Sequence, residues 1–340
     1  MHFILAFIYS LSSVASERSS HVEMSTNGTP FDLSRALWAL DFAAAAYAPN
    51  PTPCLMQHNA FMVYRIAVPC DYLKDEISGL SMFQCWSFVA IRDGWIIVSF
   101  RGTRTKVQLI AELIETMSEP KKKVRFPYYR PSSLGNYFLF HCFYMINLHL
   151  KLRAGGSVQR YFYVALKSFW KKLHAVIRKL RSVGLYHIGE LNYYFIVSQQ
   201  IYPSYQVLFT GHSLGGALAS LASIVFAHRH PALQNKINLI TYGQPRVGNY
   251  EYAEAHSRLV PDSWRIVHKY DLVAHLPACA FRFFSHSCTP LLNHSPYHHG
   301  TEVWFPTNMT NDSIFRICEG TPQFEDDKCR CSLTSRLKTK

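Results

Sequence analysis

The chain has 340 residues, 49% of them hydrophobic and 17% charged, which excludes a disordered or collagen-like polymer and suits a globular protein with a sizeable core. Its net charge of +13 is local: fourteen Lys and Arg lie between Lys121 and Gly189 with no acid among them, leaving 21 basic against 22 acidic groups elsewhere. A basic stretch outside any nucleic-acid-binding motif argues against a nucleic-acid partner and reads as a solvated face, with a contact to anionic lipid as the alternative.

Taken in chain order, Met1 to Ser16 is a short apolar run ending in small residues. It has the form of a secretory signal peptide, cleaved near Ala15, and leaves 17–340 as a single domain. Nine cysteines, five of them toward the C-terminus (Cys279, Cys288, Cys318, Cys329 and Cys331), fit a secreted, extracellular, disulfide-bonded chain. Sequons at Asn27, Asn293, Asn308 and Asn311 add glycosylation to that expectation. The cysteine spacings give no pairing and no zinc pattern, so neither a metal nor an organic cofactor is expected.

Phe31 to Tyr47 is rich in Ala and Leu and predicts a helix, ending before the proline loop from Ala48 to Cys54. Cys85 to Ile91 and Gly94 to Phe100 predict two strands joined by a tight turn at Asp93-Gly94. Ser157 to Ser182 carries apolar residues at helical spacing with Lys and Arg opposite, the pattern of an amphipathic helix. Val207 to Thr210, Ile237 to Tyr242 and Trp264 to Tyr270 predict strands, and Leu214 to His228 a helix. Strands alternating with helices predict an α/β fold with a mainly parallel, doubly wound sheet flanked by helices. Two stretches interrupt this order, near 127–152 and 183–200. Within the first, Leu134 to Leu152 is long enough to cross a bilayer, but Asn136, His141, Asn147 and His149 break its apolar run. Their aromatic, Asn- and Ile-rich texture reads as retained intron sequence, with a membrane-leaning cap as the alternative.

The chemistry centres on Gly211-His212-Ser213-Leu214-Gly215-Gly216. A serine between glycines, after a strand and before a helix, is the pattern of a nucleophile elbow: the flanking residues lack Cβ, so the turn can be sharp and the hydroxyl exposed. The helix starting at Leu214 directs its amides toward a developing oxyanion. A serine needs a base to remove its proton and an acid to orient that base. Asp271 lies just past the C-terminal end of the strand at Trp264 to Tyr270, where open α/β sheets place their sites, whereas Asp262 stands at the wrong end. Spacing alone does not choose among His275, His286, His294, His298 and His299 as the base.

Five blocks in order carry a wider resemblance: Val98-Ser-Phe-Arg-Gly-Thr103, the elbow, Thr241-Tyr-Gly-Gln-Pro-Arg-Val-Gly-Asn249, Asp271-Leu-Val-Ala-His-Leu-Pro277 and His298-His-Gly-Thr-Glu-Val-Trp304. They resemble the fungal-type triacylglycerol lipases, the class 3 lipase family of the α/β-hydrolase superfamily. The resemblance implies a serine esterase or lipase acting on lipid carboxylic esters, with Ser213 as nucleophile and Asp271 as orienting acid. The base would be His298, four residues before Glu302, with His299 as the runner-up. Thr103 and the Leu214 amide would form the oxyanion hole, and Leu109, Ile110, Leu113 and Ile114 the apolar side of a lid over the site. Ala274 departs from the proline usual in the acid block, and the lid segment lacks a Trp. The implied partners are a lipid ester and a lipid–water interface; the alternative from another class is a catalytically silent, secreted lipid-binding glycoprotein.

Overall fold

A computed structural model describes residues 30–69, 84–103, 122–123, 155–181 and 202–277, and toward the C-terminus 279, 281–282, 285–288, 295–307, 314–318, 323–326 and 329. The signal segment, the four sequons, the lid residues Leu109, Ile110, Leu113 and Ile114, and both insertions lie outside the described residues.

Eight strands form one sheet in chain order: β1 (Phe61–Pro69), β2 (Gln84–Arg92), β3 (Trp95–Phe100), β4 (Gln206–His212), β5 (Ile237–Tyr242), β6 (Asp262–His268), β7 (Thr301–Phe305) and β8 (Arg316–Cys318). The centre, from β3 to β7, is parallel, and the outer pairs β1–β2, β2–β3 and β7–β8 are antiparallel. Central strands of a parallel sheet are covered on both faces and read as near-continuous apolar runs. Accordingly, β5 is buried at all six positions.

Three crossover helices, α3 (Arg160–Arg181), α4 (Leu214–Arg229) and α5 (Tyr250–Leu259), cover one face. Their inward residues, among them Phe169, Leu173, Leu218 and Ala222, pack on Val98, Phe100, Val207 and Phe209. The other face is covered by α1 (Leu33–Ala45), whose Ala39, Leu40 and Phe42 meet Ile97, Leu208, Ile240 and Ile266. The period-2 alternation along each strand divides its side chains between these two cores. Helix α1 starts where Asp32 accepts the Arg35 amide at 2.9 Å, an N-cap that satisfies one of the first orphan donors.

Three features depart from the sequence expectations. The proline loop after α1 contains a short helix, α2 (Thr52–Met56), because Pro at the first helical turn forfeits only an amide that no helix bond would use. Strand β1 has no clean apolar alternation and was not foreseen; it forms because β2 offers it a full antiparallel partner. Strand β6 ends at His268 rather than Tyr270, since Lys269 turns into positive φ of 48°. Asp262, at the opposite end of β6, is structural: it holds Arg35 of α1 at 2.7 Å.

Between α4 and α5, His256 and His299 stack with ring centroids 3.7 Å apart, and both are fully buried. Burial pushes the His256 imidazole down to about 3, partly opposed by its bond to Ser220. An unfolded chain takes up a proton on this ring below pH ~6.5, while the folded protein refuses it until pH nears 3. Stability is therefore fully present above pH ~6.5 and falls as the pH drops through that window, by at most about 1.4 kcal/mol per pH unit from this ring. The melting temperature is expected to decline between pH 6.5 and 4.5, and His256→Gln to flatten that slope. An unchanged slope in His256→Gln would assign the acid sensitivity elsewhere.

Candidate active site

Ser213 sits between β4 and α4 with φ 56° and ψ −125°, left-handed backbone that a non-glycine residue rarely adopts. The surroundings hold it there. The Ser213 amide donates to the Tyr242 carbonyl at the end of β5 (2.9 Å), and its own carbonyl accepts from Gly216 (2.9 Å) and Ala217 (3.2 Å). The turn is so close to β3 that a Cβ on Gly215 would lie 2.2 Å from the Phe100 carbonyl oxygen. The helix pattern starts with the Gly216 amide, leaving the Leu214 amide at the positive end of α4 outside that pattern.

Thr103 ends the described segment that continues β3, and it is buried. The preceding residues are clamped: the Arg101 amide donates to the Trp86 carbonyl at 2.9 Å, and its guanidinium lies 4.2 Å from the Trp86 ring. A Cβ on Gly102 would meet the Tyr47 hydroxyl at 2.2 Å and the His212 carbonyl at 2.3 Å, so this strand end and the elbow are packed backbone to backbone. Tyr47, at the end of α1, also joins its hydroxyl to His212 Nδ1 at 2.9 Å.

Asp271 follows β6 in a turn where its amide donates to the His268 carbonyl (3.1 Å) and its Oδ1 accepts from the Val273 amide (3.0 Å). Its other oxygen lies over Gly243, which has φ 55°; a Cβ there would be 2.3 Å from Asp271 Oδ2 and 3.6 Å from His212 Nε2. Carboxylate and imidazole thus meet above a residue that has no room for a side chain. Burial pushes the His212 imidazole down, and the Asp271 charge opposes that. Gly243→Ala is expected to add about 1–2 kcal/mol of backbone strain and to displace the carboxylate. We expect roughly 10–100-fold lower kcat with a lower melting temperature, and activity equal to wild type would refute the placement.

The adjacent histidines of the last block point in opposite directions. His298 is buried against the turn that carries Asp271: its Nε2 donates to the Ala274 carbonyl at 2.7 Å, and its amide donates to Glu325 Oε1 at 3.0 Å. His299 points into the interface behind α4, bonded to Ser220 Oγ (2.6 Å) and Gln244 Nε2 (3.1 Å). His275 places Nδ1 on the Asp271 carbonyl at 2.7 Å. Burial first, then the charges of Arg265 and Arg246, hold the His298 ring well below the usual imidazole value, so it is neutral at pH 7. A neutral ring that donates from Nε2 leaves Nδ1 as the lone-pair nitrogen, and Nδ1 is buried without a hydrogen-bond partner. The two contacts that complete a Ser–His–Asp relay, from Ser213 to His298 and from His298 to Asp271, are not made in this arrangement. Among the described residues no group of three or more His, Cys, Asp or Glu could hold a metal ion, and no helix is long and apolar enough to cross a membrane.

Sequence reasoning missed Glu325 and did not single out Arg246, which lies inside the Gly-Gln-Pro-Arg-Val-Gly block. Arg246 Nε and Nη2 form a two-point bridge to the Glu325 carboxylate at 2.7 and 2.8 Å. The usable signal for Glu325 is its place between Cys318 and Cys329, which form a disulfide, as do Cys279 and Cys288.

Residues 97–281 match the family described as Lipase (class 3). The chain is 30% identical over 331 residues to the lipase ZK262.3 of Caenorhabditis elegans, covering 93% of this chain and 78% of that protein. It is 36% identical over 146 residues to a lipase of Rhizopus niveus, where it spans 42% of this chain and 32% of that protein. Among solved structures, a fungal lipase–inhibitor complex superposes with TM-score 0.59 at 22% identity, covering 88% of each chain. The Rhizomucor miehei lipase propeptide complex gives 0.58 at 21% identity, covering 94% of this chain and 85% of that one.

Proposed function

Because this chain belongs to the class 3 lipase family and is a carboxylic ester hydrolase of lipase type, we propose that it cleaves triacylglycerol-like esters outside the cell through an acyl-enzyme on Ser213. The observation that carries this reading is Ser213 itself, held at positive φ between a buried strand and a helix N-terminus. In this reading Ser213 Oγ attacks the ester carbonyl carbon as its proton passes to His298. The ester C–O bond then breaks and the proton goes to the departing alcohol. Water attacks the acyl-enzyme by the same route, releasing the fatty acid and regenerating the serine. Asp271 holds the imidazole tautomer and stabilises its cation, while Thr103 and the Leu214 amide receive the oxyanion.

His298 must first give up its bond to Ala274. A half-turn of the ring about Cβ–Cγ exchanges Nε2 with Cε1 and frees both nitrogens from that carbonyl, leaving a weak C–H···O contact in its place. The disulfides Cys279–Cys288 and Cys318–Cys329 support an oxidising, extracellular setting.

A second reading, a silent lipid-binding glycoprotein, is favoured by the same Ala274 bond if the ring stays as it stands. A fluorophosphonate probe separates the two, since it labels only an activated hydroxyl. We expect stoichiometric labelling of Ser213 in the wild-type protein, together with turnover of a short p-nitrophenyl ester. Absence of both would establish the silent reading.

A further inference from the structure

We propose that Tyr47 and His212 are positioning residues: the Tyr47 hydroxyl fixes the tautomer of the His212 ring, and that ring holds the Asp271 carboxylate over Gly243. The inference rests on the reading of Ser213 as nucleophile and Asp271 as orienting acid, and it is independent of which imidazole serves as the base.

The Tyr47 hydroxyl stands where three segments of the site converge. It lies 2.9 Å from His212 Nδ1 and 3.4 Å from the His212 carbonyl oxygen. A Cβ on Gly102 would come within 2.2 Å of it, so the hydroxyl is seated against the strand end that leads to Thr103. The far edge of the ring meets the acid. A Cβ on Gly243 would stand 3.6 Å from His212 Nε2 and 2.3 Å from Asp271 Oδ2, which makes the two atoms neighbours across that point. Asp271 Oδ1 is already held by the Val273 amide at 3.0 Å. One held oxygen leaves the carboxylate free to swing about Cβ–Cγ, and a donor at Oδ2 fixes its plane.

The charges around the ring decide where its proton sits. Burial lowers the His212 imidazole and the Asp271 charge only partly offsets this, so the ring is neutral at pH 7 and has a single N–H. With that proton on Nδ1, the Nε2 lone pair would face the carboxylate, and the Tyr47 proton would be left with the 3.4 Å contact to the His212 carbonyl. With the proton on Nε2, the N–H faces the carboxylate and the Tyr47 hydroxyl donates to Nδ1 at 2.9 Å. The second arrangement gives every group a partner of opposite polarity, so the ring carries its proton on Nε2. A tyrosine–histidine pair that only pinned α1 to the elbow would be indifferent to Asp271. This one is not, because Gly243, at φ 55°, leaves open the space in which ring and carboxylate meet.

The first test needs no turnover. In full-length protein with NMR-visible nitrogen in its 17 histidines, the His212 ring is the signal pair lost in His212→Asn, or in His212→Gln if the former does not fold. Its nitrogen shifts are expected to report a neutral ring protonated at Nε2 at pH 7. A ring protonated at Nδ1 would overturn the proposal whether or not the protein is active. The second test measures kcat and KM on a soluble p-nitrophenyl ester and the rate of fluorophosphonate labelling. An asparagine amide replaces Nδ1 but falls short of Asp271, whereas a glutamine amide reaches the place of Nε2. For His212→Asn we expect kcat and labelling rate to fall roughly 30-fold with KM within about threefold, the mark of a misplaced catalytic group. His212→Gln is expected to recover most of that loss, and Tyr47→Phe to cost roughly three- to tenfold. In an Asp271→Asn background, His212→Asn should cost less than about threefold more, because a ring that acts through the carboxylate then has nothing left to hold. An equal cost in both backgrounds, or a His212→Asn protein with the kcat of wild type, would make the pair purely structural. Two controls keep the claims apart. Wild-type rates in Ser213→Ala or Asp271→Asn would sink the underlying assignment, whereas inactive controls beside a fully active His212→Asn would sink only the positioning role.

Discussion

Ser213→Ala is expected to abolish ester hydrolysis, lowering kcat by roughly 10⁴–10⁶-fold, while the melting temperature stays within a few degrees of wild type. The two halves of this expectation have separate causes. The loss follows from removing the only atom in the elbow able to form the acyl bond. The residual rate is what transition-state binding by the oxyanion donors supplies alone. The retained stability follows from how the turn is held. Alanine keeps the Cβ of serine, so the strain at φ 56° is unchanged, and the bonds to Tyr242, Gly216 and Ala217 all use backbone atoms. The serine side chain makes no cap bond to α4, so its removal orphans no amide. A Ser213→Ala protein that hydrolysed a p-nitrophenyl ester at the original rate would remove Ser213 from the mechanism. One that lost activity only by unfolding would make the elbow a folding element.

The adjacent histidines provide the second large effect, because the same substitution is expected to produce opposite phenotypes at neighbouring positions. His298→Gln should lower kcat by roughly 10⁴-fold, since a glutamine amide cannot accept and return a proton at neutral pH. His299→Gln should leave kcat per folded molecule within about tenfold of wild type. Its effect should fall on stability, by about 2–3 kcal/mol, because a fully buried ring bonded to Ser220 and Gln244 and stacked on His256 is replaced by a flexible amide. Active-site titration with the fluorophosphonate, alongside a thermal melt, separates the two quantities. A His299→Gln protein that was stable and inactive, paired with an active His298→Gln, would reverse the assignment.

Much of the scaffold was legible in the sequence because its causes are local. Helix α3 appears as an apolar stripe of period 3.6, the β2–β3 hairpin as a tight turn at Asp93-Gly94, and β4, β5 and β6 as apolar runs at roughly their observed positions. Strands β1, β7 and β8 and helix α5 escaped, and for β1 and β8 the reason is that their existence depends on a partner. Strand β1 is ordered by pairing with β2, and β8 by pairing with β7; neither has the alternation of a strand that must hide one face. The two disulfides could not be paired from spacing, because many loops of similar length are equally closable until the fold brings particular cysteines together.

The site divides along the same line. The elbow around Ser213 is set by the sequence alone, since a serine between glycines where strand meets helix is a local solution to a local steric problem. The order of Asp271 and His298, the proposed acid and base, came from the same family blocks. Only the tertiary structure turned His298 toward Asp271's turn and His299 into the core, because the two residues differ in direction rather than in chemistry. The tertiary structure alone also joined Arg246 to Glu325 across 79 positions. Nothing in either local sequence specifies that pairing. It arises because two opposite charges taken out of water are tolerable only in each other's company, and the fold decides which charges meet.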